Sequence, residues 1–413
     1  MPTRVIDFEL SGRTGSLDHL GSRYTHACLL LRWKGAPVGR VTLPVNDGFI
    51  DSRDLEDGLA QALGRDFWFA WLREAFEWDP CPPVGEASAL TPAACTVAIC
   101  TRERPDDLDR TLSAIGQLSR PPGETLVVDN RPATTATADV VRTHAFARYV
   151  RQDEGGLDAA RNRALAEARH EVVAFTDDDA TPDPGWLAAL IPNFADPIVM
   201  CVTGLTMPLE LETSAQETFE RYSPFSRGFA RRTFDSRSYN PLAAGRAGAG
   251  ANMALRRSAM TRVGLFDEAL DAGTVTRSGG DHEYFSRILS AGYRIVYEPS
   301  ALSWHRHRRS HEELRDTLSG YGTGVYAMLT RALLEGGETS AFKIALSWLI
   351  HGQLPQFFDS VFRRPGHVPL DLLLAEYRGC LRGPLAYLRS RRDLARRRAG
   401  RTDAGRRLVV PTP

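Results

Sequence analysis

The chain has 413 residues, 43% hydrophobic and 25% charged, which excludes a disordered, collagenous or disulfide-stapled protein and leaves room for two or three domains. Basic and acidic residues balance at 51 each, so nothing in the global charge points to nucleic acid as a partner, and any electrostatic role is local. The six cysteines form no C-x-x-C pair, a usage that fits free, mostly buried thiols in a reducing cytoplasm.

Residues 1–21 carry Asp7, Glu9 and Asp18 and lack the apolar core of a secretory signal. Residues 27–31 and 38–43 read as short strands joined by a turn at Lys34-Gly35, and residues 55–63 have helical spacing. Residues 1–80 are therefore expected to form a small β-rich module, followed by a Pro/Ala/Ser/Gly-rich linker over 81–94. From residue 95 strands alternate with helices. Strands are predicted at 96–100, 125–128 and 171–175 and helices at 105–118 and 157–168, a rhythm that implies βαβ units in a parallel sheet covered on both faces. Ligands bind such sheets beyond the carboxyl ends of the strands.

Three carboxylates, Asp177-Asp178-Asp179, follow the third of these strands. Adjacent carboxylates repel, and a cation or a set of donors normally neutralises them; oxygen ligands select Mg²⁺ or Mn²⁺. The alternative is an acidic loop capping the next helix. Thr101-Arg102-Glu103-Arg104 and Asp129-Asn130 end the first two strands on the same predicted rim. There an arginine can pair with phosphate or stack on a base, and Asp129 can accept from a ring N–H. Gly155-Gly156 precedes a helix carrying Arg161 one turn in, where either an anion or solvent could be met. Residues 245–252 are glycine-rich without matching the dinucleotide fingerprint, which reads as close approach of backbone to a ligand.

Asp281 follows Ser278-Gly279-Gly280 at a predicted helix start, either as a general base or as the partner of Ser278 in a capping box. His305, in Trp304-His305-Arg306-His307, is either a metal ligand or a structural hydrogen-bonder. Helices are predicted at 326–335 and 341–350, then a Pro-broken helical region to residue 388. The longest apolar run, 344–350, is far short of the roughly 20 residues that span a bilayer. The end of the chain is rich in arginine from Arg389 to Arg407, a candidate for peripheral contact with anionic lipid at the inner membrane surface or for a solvated tail.

The ordered set Thr101-Arg102-Glu103-Arg104, Asp129-Asn130, 156–163, Asp177-Asp178-Asp179, 252–256, Gly280-Asp281 and Trp304-His305 resembles the family 2 glycosyltransferases of the GT-A fold. The resemblance covers roughly residues 95–318. It implies an α/β, Rossmann-type, mostly parallel sheet with helices on both faces, flanked by the N-terminal module and a C-terminal helical extension. With the module, linker and C-terminal helices read above, the expected division is 1–80, 81–94, 95–325 and 326–413. The resemblance also implies an inverting transfer of a sugar from a nucleotide-diphosphate donor to an acceptor hydroxyl with Mn²⁺ or Mg²⁺. By the same resemblance Thr101, Arg102, Arg104 and Asp129 surround the base, Asp177 or Asp178 the ribose, and Arg161 the nucleotide and its diphosphate. Asn252 meets the donor sugar, Asp179 and His305 the metal, and Asp281 is the base. Where many relatives have Glu-Asp, this chain has Gly280-Asp281. Two other readings are a nucleotidyltransferase, which releases pyrophosphate, and a non-catalytic nucleotide-sugar binding protein.

Overall fold

A computed structural model describes residues 2–12, 15–76 and 94–407. The predicted linker 81–94 lies outside these residues except for its last position, as does Cys81; the other five cysteines are free and four of them are buried.

The N-terminal strands β1 (Thr3–Glu9), β2 (His26–Trp33) and β3 (Ala36–Pro44) form a three-stranded sheet in sequence order. The β2–β3 hairpin closes through Lys34 and Gly35, both at positive φ (51° and 81°), the geometry a two-residue turn needs to match strand twist. β1 runs parallel to β2 and was not evident from sequence. Helix Ser52–Ala62 packs its buried Leu55, Gly58 and Leu59 onto this sheet, with Asp51 capping Asp54. The module is tied to the rest of the chain: Leu30 packs with Leu205, Met207 and Leu302, and Arg32 pairs with Asp183 at 2.5 Å.

Among the described residues the main sheet has nine strands. In chain order they are β4 (Cys95–Thr101), β5 (Glu124–Asn130), β6 (Ala147–Gln152), β7 (Val172–Asp177), β8 (Ala180–Pro182), β9 (Val199–Pro208), β10 (Arg232–Phe234), β11 (Asn252–Arg256) and β12 (Arg294–His305). Their spatial order is β10-β12-β9-β11-β7-β4-β5-β6, with β8 paired to β12. The half β7-β4-β5-β6 is parallel throughout, whereas β11 runs antiparallel to both of its neighbours, β7 and β9. The chain leaves β4 toward β5 on one side and returns as β7 on the other. That reversal opens a crevice at the carboxyl ends of β4 and β7. Near-continuous apolar runs fill both faces: Val97, Ile99, Val127 and Val172 belong to one buried cluster and Ala98, Leu126, Val128 and Val173 to the other, as period-two side chains in a sheet covered on both sides require.

Beyond β12, a 26-residue helix, His311–Gly336, begins at a Ser310–Glu313 capping box and ends at Gly337 with φ +63°. The boundary expected at 325/326 therefore falls inside one continuous helix, because the capping signal at Ser310 sets its start. It packs against the last helix, Leu370–Arg407, through glycines: a Cβ on Gly379 would lie 2.1 Å from the Ser319 carbonyl oxygen. The capping box, one of the two readings of Ser278 and Asp281, does not form. Gly279 occupies the cap position with φ +101° and no side-chain bond, and the Ser278 hydroxyl donates to the Gly320 carbonyl at 3.0 Å.

Candidate active site

The register places the β4 and β7 ends side by side, with Cys100 opposite Asp177. β7 ends at Asp177, and Asp178 and Asp179 form the turn that leads into β8. Asp178 turns to β4, accepting from the Thr101 hydroxyl at 2.7 Å and from Arg104 at 3.1 Å. Asp179 meets His305 Nε2 at 3.0 Å, Arg104 at 3.1 Å and Arg308 at 3.2 Å. His305 Nε2 also stands 3.8 Å from Asp177. It reaches this position because β12 pairs with β8, setting His305 opposite Ala180. The backbone is braced from below, where Thr111 Oγ1 bonds the carbonyls of Asp178 and Ala180 at 2.8 and 2.7 Å.

These contacts set the charge states. Burial and the neighbouring Asp179 carboxylate push Asp178 upward against Arg104 and Thr101. Burial also works to raise Asp179, but His305, Arg308 and Arg104 outweigh it and hold that carboxyl well below its usual range. For His305 burial opposes the charge, while Asp179 and Asp177 prevail and raise it to about 10.

Ligand atoms of Asp177, Asp179 and His305 all lie within 4.8 Å of one another. Two carboxylates and one imidazole suit Mn²⁺ or Mg²⁺ with room left for phosphate oxygens. The second predicted ribose residue, Asp177, thus stands with the metal-capable set, apart from Asp178. His307 stays outside it and pairs with Glu220 at 3.0 Å.

This rim borders a pocket of about 330 Å³, lined in part by Thr101, Arg102, Arg104, Asn130, Asp178 and Arg308. Asn130 clamps Gly156, its Oδ1 accepting from the Gly156 N–H at 3.3 Å and its amide donating to the Gly156 carbonyl. Gly156 has φ +131°, and a Cβ on Gly273 would come within 3.1 Å of its Cα. Both positions exclude larger residues, which keeps this wall of the pocket open.

A second pocket, about 320 Å³, shares Leu157 and Asp177 with the first and contains Asp281. Asp281 Oδ2 accepts from the Gly250 N–H and Oδ1 from the His282 N–H, each at 2.8 Å. Burial would raise Asp281, but His282, Arg161 and these two donors lower it overall. The result is an oriented carboxylate facing a cavity.

Three predicted site residues sit elsewhere than expected. Arg161 lines the second pocket and not the first; it is 4% exposed and locked to Asp158 at 2.9 Å and Asp271 at 2.7 Å. It is a fixed counter-ion to carboxylates, because the helix start that was to receive an anion already carries Asp158. Asn252 is fully buried. Its Oδ1 accepts from Trp186 at 2.8 Å and its amide donates to the Leu205 and Ala301 carbonyls at 2.9 Å each, so it ties β11 to its surroundings and has no face toward a sugar. Asp129 is also fully buried, taking the Tyr149 hydroxyl at 2.9 Å, and does not line the pocket.

Sequence reading missed Arg308, Asp158 and Asp271; it placed Asn130 on the rim beside Asp129 but gave it no role of its own. Gly280 is explained by Asp158: a Cβ there would lie 2.0 Å from Asp158 Oδ2. In place of an acidic residue at 280, the chain brings a buried carboxylate from the helix Leu157–Glu167 to the same point.

Residues 96–264 match the family model for glycosyl transferase family 2. The chain is 31% identical over 254 residues to the pre-mycofactocin glycosyltransferase of Mycobacterium tuberculosis, a match covering 60% of this chain and 48% of that protein. It thus spans about half the length of that curated relative. It is 25% identical over 285 residues to glycosyltransferase AglE of Haloferax volcanii, covering 66% of this chain and 86% of that one. Among solved structures it resembles the mannosyltransferase PcManGT from Pyrobaculum calidifontis, determined with GDP-Man and Mn2+. The TM-score is 0.51 at 18% identity, over 76% of this chain and 94% of the other. That likeness concerns the fold. The crevice at the β4 and β7 ends and the carboxylate trio both lie within residues 96–264, the stretch that matches the family 2 glycosyl transferase model.

Proposed function

We propose that this chain is an inverting glycosyltransferase that moves a sugar from a nucleotide-diphosphate donor to an acceptor hydroxyl with the help of a divalent metal. The observation that supports this most directly is the junction of two pockets at Asp177 and Leu157, one bordered by Asp179 and Arg308 and the other by an ionised Asp281.

In this reading the first pocket takes the nucleotide, with Thr101, Arg102 and Arg104 against it. Asp177, Asp179 and His305 would hold Mn²⁺ or Mg²⁺, which when bound would supply Lewis-acid stabilisation of the departing diphosphate. Arg104 and Arg308, each about 40% exposed, place further positive charge where that diphosphate develops. Asp281 takes the proton of the acceptor hydroxyl as its oxygen bonds to the anomeric carbon. The bond from that carbon to the diphosphate oxygen breaks, and attack from the face opposite the leaving group inverts the configuration. Against burial, His282 and Arg161 together with the two backbone N–H groups keep Asp281 unprotonated, and those N–H groups hold it in one orientation until substrate arrives. Catalysis by such a base is worth about a hundredfold to ten-thousandfold.

The test is a thermal-shift screen of nucleoside diphosphates with and without Mn²⁺, followed by product analysis with the matching donor sugar. A metal-dependent stabilisation and release of nucleoside diphosphate are expected. Release of pyrophosphate from a nucleoside triphosphate and a sugar phosphate would replace this reading with nucleotidyl transfer.

A further inference from the structure

Between the helix His311–Gly336 and the last helix, residues 340–362 fold as helix Ser340–Trp348, a π-turn Leu349–Gln353 and helix Leu354–Val361. Phe342, Leu346, Ile350, Leu354, Phe358 and Phe362 all point outward; Phe342 is 65% and Phe362 67% exposed. They recur at every fourth residue. In an uninterrupted α-helix each step of four drifts by about 40°, so six such residues would wind through about 200°. The π-turn takes up one extra residue, about 100° of rotation, and the six then share a stripe about 100° wide. The backbone irregularity therefore aligns the apolar groups on one face.

That face is not a transmembrane segment, since no helix among the described residues is long and apolar enough to cross a membrane. Besides His351, its ionisable side chains are Lys343 and Asp359, and Asp359 pairs with Arg364 at 2.8 Å. The last helix joins it at Gln353, which donates to Cys380 Sγ at 3.2 Å and accepts from the Tyr377 hydroxyl at 2.6 Å. Next to that joint Leu381 is 83% exposed, and Arg378 and Arg382 are exposed beside it. Large apolar groups flanked by arginine are the composition of a helix that lies in the headgroup region of a bilayer.

We propose that residues 340–362, with Leu381, Arg378 and Arg382 of the last helix, dock this chain flat on an anionic lipid bilayer. A second copy of the chain fits less well. A two-fold interface would set this patch against itself and bring arginine against arginine, whereas anionic headgroups complement it. The proposal goes beyond a purely electrostatic contact by the arginine-rich end, because here apolar burial holds the chain after charge attracts it.

The full chain is tested by co-flotation with vesicles of phosphatidylcholine alone and of phosphatidylcholine mixed with phosphatidylglycerol. Binding to the mixed vesicles is expected, weakened but not abolished by high salt. Phe358→Ser is expected to lower it roughly tenfold, and Arg382→Gln roughly fivefold on anionic vesicles only. Both positions are exposed, and an unchanged thermal midpoint confirms that the variants fold. The proposal is overturned if the wild-type chain stays behind with both vesicles, or if Phe358→Ser floats like wild type. It is also overturned if sedimentation shows a dimer that Phe358→Ser dissociates, which would assign the face to a second copy. Flotation reads no turnover, so its failure leaves the transfer reading untouched.

Discussion

The two pockets meet at Asp177 and Leu157 yet neutralise their carboxylates in opposite ways. In the first, Asp179 is met by His305 and by arginines about 40% exposed, partners that can be exchanged when a cation and a diphosphate arrive. In the second, Arg161 is buried between Asp158 and Asp271, a fixed arrangement that holds the negative charge around Asp281 in place. Exchangeable neutralisation suits binding and release; fixed neutralisation suits a base that must keep one orientation and one charge state.

The largest expected effects come from removing the carboxylate at the centre of each pocket. Asp281→Asn should lower turnover by a hundredfold or more while leaving donor affinity unchanged, and Asp179→Asn should abolish the Mn²⁺-dependent thermal shift by nucleoside diphosphate. If Asp281→Asn keeps full turnover, the second pocket does not hold the base. Because Asp281 is shifted downward, wild-type activity should lose its base only as the pH falls below the usual carboxylate range. An activity–pH profile with its acid limb near neutrality would contradict that.

The next contrast is between the two kinds of arginine. Arg161→Met should destabilise the chain by about 3–5 kcal/mol, because it strands two buried carboxylates. Arg308→Met should cost less than about 1 kcal/mol, since Arg104 and His305 still face Asp179, but it should weaken nucleotide binding. Chemical denaturation of both variants reads the difference, and equal losses would end the distinction between fixed and exchangeable charge.

An effect confined to one pH window, which builds between about pH 4.5 and 7, comes from Glu376 in the lining of the second pocket. Burial raises it to about 7, against the Tyr222 hydroxyl that donates to it. A folded-state value above the unfolded one means that the protonated form is favoured in the fold. Stability from this group is therefore full below about 4.5, falls as pH rises toward 7, and is flat beyond, a loss of about 3 kcal/mol. Glu376→Gln should accordingly raise the thermal midpoint at pH 8 and leave it nearly unchanged at pH 5. A variant less stable at pH 8 would show that the carboxylate itself is needed there.

Much of the first pocket could be read without coordinates. The apolar runs of β4, β5 and β7 and the polar residues that follow them announce a parallel sheet with a rim, and Thr101, Arg102, Arg104 and Asp177–Asp179 all stand on that rim. The separation of Asp178 from Asp177 and Asp179 was not legible, because it is made in the turn between β7 and β8 by partners from β4, β12 and the segment after it. Arg308 left no such trace, because it reaches Asp179 across 129 positions. The pairing of Arg161 with Asp271 spans 110, and local spacing offered only a helix start that looked open to an anion.

The sequence by itself determined the alternation of strands and helices and the acidic trio at a strand end, since each depends on neighbours a few residues apart. Only the tertiary structure decided which carboxylate meets which cation, why Gly280 must be glycine, and how a single π-turn aligns six apolar side chains. Those outcomes depend on distances between segments far apart in the chain, or on the rotation of a whole helix. Packing of the complete sheet and its covering helices sets both.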